Sequence, residues 1–275
     1  MDVTISIIIP VGDRSYLARC RECIDASVAA YRGEVWVEVI EVMDEEHRGV
    51  DWARNEGLRR ATGDWIAWVD CDDEVDTGWF PALAEAITRH QPDVVVLDAV
   101  TQNGYDLAYR RNAGDVTPAV FVSDILREVR GGAQCWRMCM KRSLYAGHEF
   151  KGQVYEDYGL FLEVCGGIRS VWHLVGHHYC YHVHAGSLAR SSGEVGEAAG
   201  ERLLALAETV ERMPEHMRYA ARVGWTLRAA DWLLHAKSRY GRDEMKKKIR
   251  KELWAVLCDS EVPLKLIVKV LASPL

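Results

Sequence analysis

"DWIAWVDCDDEV", residues 64–75, runs from an apolar stretch into four acids: Asp70, Asp72, Asp73 and Glu74. Asp64 to Asp70 reads as a strand. An acidic cluster at its end repels itself and is awkward to bury without compensation. Upstream, "GVDWARNEGLRRAT" (49–62) reads as a helix that stops near Gly63. Downstream, "TGWFPALAEAITRH" (77–90) reads as another helix. A helix–strand–helix unit with acids at the strand's carboxyl end is the local form of an open α/β sheet, where ligands bind at the carboxyl ends of strands.

The pattern extends in both directions. "TISIIIPV" (Thr4 to Val11) is a β-branched run, as in a strand buried on both faces. Ser15 to Tyr31 has helical apolar spacing with Ser15 as an N-cap candidate. Val35 to Met43 and Asp93 to Val100 read as further strands. This alternation predicts a parallel sheet covered on both faces. From Thr101 to Arg130 the pattern is weak. Cys135 to Tyr145 resumes structure, and Val154 to Gly167 reads as a helix ending at a glycine pair. Ser170 to Ser187 alternates like a strand, and beyond Arg190 the chain reads as amphipathic helices.

The 275 residues, 49% hydrophobic and 27% charged, suit one large α/β domain, or one with a helical appendage. A net charge of -7 argues against nucleic acid as a partner. Eight cysteines in apolar contexts read as reduced, buried thiols. The Cys20/Cys23 and Cys135/Cys139 pairs would have to converge to hold zinc, and packing is the reading taken. No signal sequence or membrane-crossing run is apparent, so a cytoplasmic location is expected, including the inner face of the cell membrane. The basic "KKKIRK" (246–251) and the apolar stretch after it leave two readings open for the C-terminal helices: peripheral contact with an anionic membrane surface, or packing on the domain or on a second copy in a homo-oligomer.

Four separate pieces, in order, carry a resemblance: "SIIIPV", "GVDWARNEGLRRATGDWIAWVDCDDEVDTGWFPALAEAI", the "ED" of "VYEDYGLFLE", and "YHVHAGS". With them the chain resembles the family 2 glycosyltransferases of the GT-A fold, over about Ile5 to Ser187. The resemblance implies a Rossmann-like, mostly parallel GT-A domain over 1–189, with a nucleotide-sugar part to about 100 and an acceptor part from 101. A helical C-terminal region follows over 190–275. It also implies inverting transfer from a nucleotide diphosphate sugar, a UDP-sugar foremost, to a glycan or lipid-linked acceptor in surface polysaccharide or glycoconjugate synthesis. The alternative is a catalytically inactive relative that binds a sugar or a partner. No Gly-rich basic loop follows the first strand, which disfavours a nucleotidyltransferase, and no GxGxxG follows any strand.

By the same resemblance, Asp72 and Asp73 hold Mn²⁺ or Mg²⁺, the cation that answers the acidic cluster, and Asp70 reaches the metal, its water or the donor ribose. Which of the three touches the metal directly is open. His184 is expected at the metal or diphosphate, while His173, His177, His178 and His182 read as structural. Arg54 sits where relatives place an arginine near the donor base or phosphates, and its planar fork suits phosphate. Pro10, Val11, Asp13 and Asp44 are expected at the donor. Relatives usually carry an aromatic and an Asn after the first strand's proline, where this chain has Gly12 and Asp13. They usually carry paired aspartates after the second strand, where it has Met43 and Asp44. Asp157 resembles the base that takes the acceptor proton, with Glu156 beside it on the acceptor side. Gln134 and Trp136 are further acceptor candidates, the tryptophan by stacking on a sugar. Asn55 and Gly57 read as structural.

Overall fold

The computed structural model describes residues 3–128, 131–183, 196–235, 241–262 and 264–272. The chain divides into two units: residues 1–118, 134–151 and 167–183, and residues 119–133, 152–166 and 184–275. Two stretches ahead of residue 190 thus group with the C-terminal helices.

The first unit is built on β1 (Thr4–Val11), α1 (Arg14–Ala30), β2 (Trp36–Met43), α2 (Val50–Arg60), β3 (Trp65–Trp68), β4 (Glu74–Val75), α3 (Trp79–His90), β5 (Val94–Thr101), β6 (Gly114–Val116), β7 (Met138–Lys141) and β8 (Val171–Tyr181). Its sheet runs β2-β1-β3-β7-β5-β8-β4, with β6 also on β8. The pairs β1–β2, β1–β3 and β5–β8 are parallel. β7 is antiparallel to both β3 and β5, and β4 and β6 are antiparallel to β8. The sheet is thus mixed and parallel along its longest pairs, in keeping with the mostly parallel sheet expected, with β7, β4 and β6 as its antiparallel members.

α1 and α3 pack on one face of the sheet. Ile5, Ile7, Ile9, Cys20, Ile24, Trp79, Phe80, Leu83, Ala84 and Val95 form their shared core. Asp13 caps α1, accepting from the Ser15 N–H at 2.9 Å. The cap is thus two residues earlier than expected, and Ser15 lies inside the helix.

α2 approaches β1 through Gly57, where an added Cβ would stand 2.4 Å from Cγ2 of Ile8 and 3.5 Å from Cγ2 of Val42. Gly57→Val is expected to lower the unfolding free energy by about 2–3 kcal/mol, because a β-branched core strand has no room to yield. Urea unfolding measures this, and an unchanged midpoint would show that α2 can lift off the sheet.

Between β5 and β8, His173 Nε2 donates to the buried Asp98 at 3.0 Å, joined by the Tyr109 N–H at 2.7 Å. Burial opposes the charge on Asp98, but these hydrogen bonds outweigh it and hold the carboxyl below its usual range. Arg137, pushed down to about 10 by burial, donates to the carbonyls of Leu97 and Leu107.

The second unit is helical: α4 (Pro118–Arg127), α5 (Glu156–Val164), α6 (Gly196–Arg212), α7 (Glu215–His235), α8 (Arg242–Cys258) and α9 (Leu264–Ala272). α7, the longest of them, contributes many of its buried residues, among them Trp225, Leu227, Trp232 and Leu233. Arg228 on α7 lies 3.4 Å from the Tyr158 ring centroid and pairs with Glu128. Among the described residues, no helix is long and apolar enough to cross a membrane.

Candidate active site

β1, β2 and β3 run parallel, so their carboxyl ends share one edge of the sheet. That edge presents Pro10 and Val11 at the end of β1, Asp44 after β2, and Asp70 to Asp73 after β3. Backbone bonds hold the three ends together. The Asp44 N–H donates to the Val11 carbonyl and the Val69 N–H to the Ile8 carbonyl. Cys71 Sγ lies 3.9 Å from the Asp13 carbonyl, which brings Asp13 to the same place. Pro10 and Val11 are buried, whereas Asp13 is exposed.

The acidic turn is held from several sides. Arg54, nearly buried on α2, donates from Nη2 to Asp70 at 3.2 Å and lies over the Phe150 ring. Asn55, next to it, donates to the Phe150 carbonyl and accepts from the Phe150 N–H, both at 2.9 Å. That double bond locks α2 to residue 150, which makes Asn55 structural, as expected. Arg19 on α1 donates to the Asp72 carbonyl at 2.9 Å and pairs with Glu74 at 3.0 Å. His182 Nε2 faces the same Glu74 oxygen at 3.2 Å.

The three aspartates have different surroundings. Asp73 is fully buried. Its Oδ2 accepts from the Tyr179 hydroxyl at 2.6 Å and its Oδ1 from the His182 N–H at 2.7 Å. The Tyr179 oxygen in turn accepts from the Asp70 N–H at 3.2 Å. Burial, then the charge of Asp70, pushes the Asp73 carboxyl up to about 8 against its hydrogen bonds. Burial and the same two charges hold the Tyr179 proton in place. Asp73 was expected to ligate metal, but both its oxygens are engaged inward, which suits fixing the turn. Asp70 and Asp72 are only half-buried.

Asp44 is likewise engaged: its two oxygens accept from the N–H groups of Arg48 and Gly49, each at 2.8 Å, closing the turn before α2. Trp136 was expected to offer its ring to a sugar. It is instead buried, with Tyr179 stacked at 4.9 Å, Tyr181 at 5.8 Å and the Arg137 guanidinium at 4.8 Å. Its neighbours use the ring surface, so it backs the acidic turn through Tyr179. Gln134 is half-buried and accepts from Arg137 Nε at 3.4 Å.

Asp157 and Glu156 belong to the second unit, in the first turn of α5. Glu156 is buried. Asp157 is half-buried and accepts from the Tyr158 N–H at 2.6 Å. Tyr155 before them has φ 56°, a left-handed conformation that non-glycine residues rarely adopt. His184 lies outside the described residues.

Sequence reasoning missed Tyr179 and Arg19, and it saw Glu74 in the acidic cluster without its partners Arg19 and His182. The alternation of Tyr179 with Tyr181 on β8 is the one local signal that could have found the tyrosine. A cavity of about 410 Å³ between α2 and residues 142–149, lined by Asn55, Leu58, Arg59, Tyr145 and His148 among others, contains none of the expected donor residues.

Among the described residues no three His, Cys, Asp or Glu side chains form a metal cage. The acidic turn nevertheless fits a hard cation of another kind. Mg²⁺ on a nucleoside diphosphate takes one or two carboxylates and fills its other positions with phosphate oxygens and water. Asp72 and Asp70 are the right chemistry for that.

Residues 8–145 match the family model described as "Glycosyl transferase family 2". The chain is 26% identical to Glycosyltransferase GlyA of Streptococcus pneumoniae, covering 79% of this chain and 36% of that protein. It is 30% identical over 101 residues to a probable N-acetylgalactosaminyltransferase 7 of Caenorhabditis elegans, covering 36% of this chain and 16% of that one. The chain thus spans only about a third of GlyA. Its fold is similar to the crystal structure of S. aureus TarS 1-349 in complex with UDP-GlcNAc, with a TM-score of 0.67, 14% identity, 96% of this chain and 83% of that one covered.

Proposed function

The chain belongs to glycosyl transferase family 2, and from that premise we propose that it transfers a sugar, with inversion, from a UDP-sugar to a glycan or lipid-linked acceptor. The observation that carries this reading is the acidic turn. Arg54, Tyr179, Arg19 and the His182 amide hold it on the carboxyl edge of the sheet, and Asp72 is half-buried there. The UDP-GlcNAc in the similar TarS structure supports a uridine donor.

In this reading residues 1–118 supply the donor side, with Asp72 holding Mn²⁺ or Mg²⁺ and Asp70 or His184 supplying a second ligand. A bound divalent cation stabilises the leaving diphosphate as a Lewis acid. Arg54 keeps Asp70 oriented and adds positive charge for the phosphates. Asp73 and Tyr179 position the turn. Pro10, Val11, Asp13 and Asp44 border the nucleoside. Asp157 is the base: the acceptor oxygen bonds to the anomeric carbon as the carbon–oxygen bond to diphosphate breaks. The hydroxyl proton goes to Asp157, and the diphosphate leaves with the bonding electron pair. Glu156 and Gln134 serve the acceptor side. The product belongs to surface polysaccharide or glycoconjugate synthesis, made in the cytoplasm or at the inner face of the membrane.

One observation favours a second reading, a sugar- or partner-binding relative without transfer. Met43 stands where an acid is usual, and both oxygens of Asp44 are engaged by backbone N–H groups. Calorimetric titration with UDP separates the two. Saturable binding that strengthens with Mn²⁺ is expected for the transferase, and no heat with UDP and Mn²⁺ together would leave the second reading standing.

A further inference from the structure

The second unit carries a surface that glycosyl transfer does not use. On α8, Lys247, Arg250, Lys251 and Trp254 are exposed, the tryptophan to 74%. At about 100° per residue these four fall within an arc of about 100°. Met245, Ile249 and Val256 on the other side of α8 are fully buried. After the turn at 259–262, α9 repeats the contrast in apolar form. Leu264, Val268 and Leu271, spaced i, i+4, i+7, are 74%, 54% and 57% exposed, while Val270 is buried.

A solvated helix face has no use for a tryptophan, two leucines and a valine. Their exposure marks a face made to be covered. The charge beside them says by what. Three cations surround Trp254, in a chain whose net charge is -7. An anionic surface attracts this patch and repels the rest of the molecule, so it selects one orientation. Two copies of the same face would set cation against cation, which disfavours self-association. Asp243 and Glu244 are exposed in the first turn of α8, so contact falls on the two later turns.

We infer that α8 and α9 form a docking surface for an anionic phospholipid bilayer. Lys247, Arg250 and Lys251 lie over the headgroups, and Trp254, Leu264, Val268 and Leu271 enter the boundary between headgroups and acyl chains. The helices lie on the bilayer and do not cross it. The surface is independent of the catalytic reading, because its binding needs no nucleotide.

The test is co-sedimentation with phosphatidylcholine vesicles with and without phosphatidylglycerol. Binding is expected only with phosphatidylglycerol, and it weakens as NaCl is added. The triple variant Lys247→Gln/Arg250→Gln/Lys251→Gln is expected to lower partitioning on the order of 100-fold, about fivefold per cation. Trp254→Ser/Leu264→Ser is expected to lower it about tenfold. Both variants change exposed side chains, so their thermal unfolding should match the parent. The proposal is overturned by an absence of binding to phosphatidylglycerol vesicles, by equal binding to both vesicle types, or by a triple variant that binds as well as the parent. It is equally overturned if Trp254→Ser/Leu264→Ser instead abolishes a concentration-dependent dimer seen by sedimentation velocity.

Discussion

Asp72→Ala is expected to lower metal-dependent sugar transfer on the order of 10³-fold, the loss that follows when one preorganised electrostatic stabiliser of the leaving group is removed. Its fold should survive. Asp72 is half-buried, and the turn around it is held through groups the substitution leaves in place: the Asp72 carbonyl on Arg19, and Asp73 on Tyr179 and His182. Asp73→Ala provides the contrast. It strands the Tyr179 hydroxyl in a buried setting, at about 1–3 kcal/mol, and leaves the half-buried His182 N–H without its acceptor as well. Activity and stability therefore fall together at Asp73 and separate at Asp72. The assay is transfer from a UDP-sugar at several Mn²⁺ concentrations, run beside thermal unfolding. A variant at Asp72 with parental turnover and parental Mn²⁺ dependence would remove this residue from the reaction.

Asp157→Asn is expected to lower transfer by about 10²–10⁴-fold, the contribution of a positioned general base, while leaving UDP affinity unchanged. The substitution suits the question because an asparagine oxygen can still accept from the Tyr158 N–H as Asp157 does at 2.6 Å. The first turn of α5 keeps that bond, and only the proton-accepting capacity is lost. Initial rates at saturating donor, together with calorimetric UDP binding, separate the two effects. Transfer at the parental rate would take the base assignment away from Asp157, and weakened UDP binding would shift the residue to the donor side.

The alternating core was legible in the sequence because its signals are local. Thr4–Val11 is β-branched apart from Ser6, whose hydroxyl donates to Glu38 at 2.5 Å, and Pro10, so the strand was read with its observed bounds. The acidic cluster was equally visible, since charge after an apolar strand needs no partner to be noticed. What holds it was not visible. Tyr179 is 106 residues from Asp73 and Arg19 is 53 from Asp72, and no local period reports such pairings. Nor does sequence separate Asp72 from Asp73. The turn gives adjacent side chains opposite surroundings, one half open and one sealed on both oxygens. β4 and β6, of two and three residues, are too short to show a period. Trp136 was read from its chemistry as a sugar platform, and only the fold reveals the tyrosines stacked on it.

The place of β7 in the sheet has a consequence for how the chain matures on the ribosome. β3 and β5 are not paired with each other; β7 lies between them and bonds to both. After Thr101 is made, residues 102–137 must follow before that filler strand exists, a wait of roughly 2–7 s at synthesis rates of ~5–20 residues per second. Until then a nascent chain holds two apolar strands with open edges, the kind of surface that pairs with neighbours. The N-terminal third is therefore expected to rely on chaperone cover during translation and not to survive as an isolated fragment.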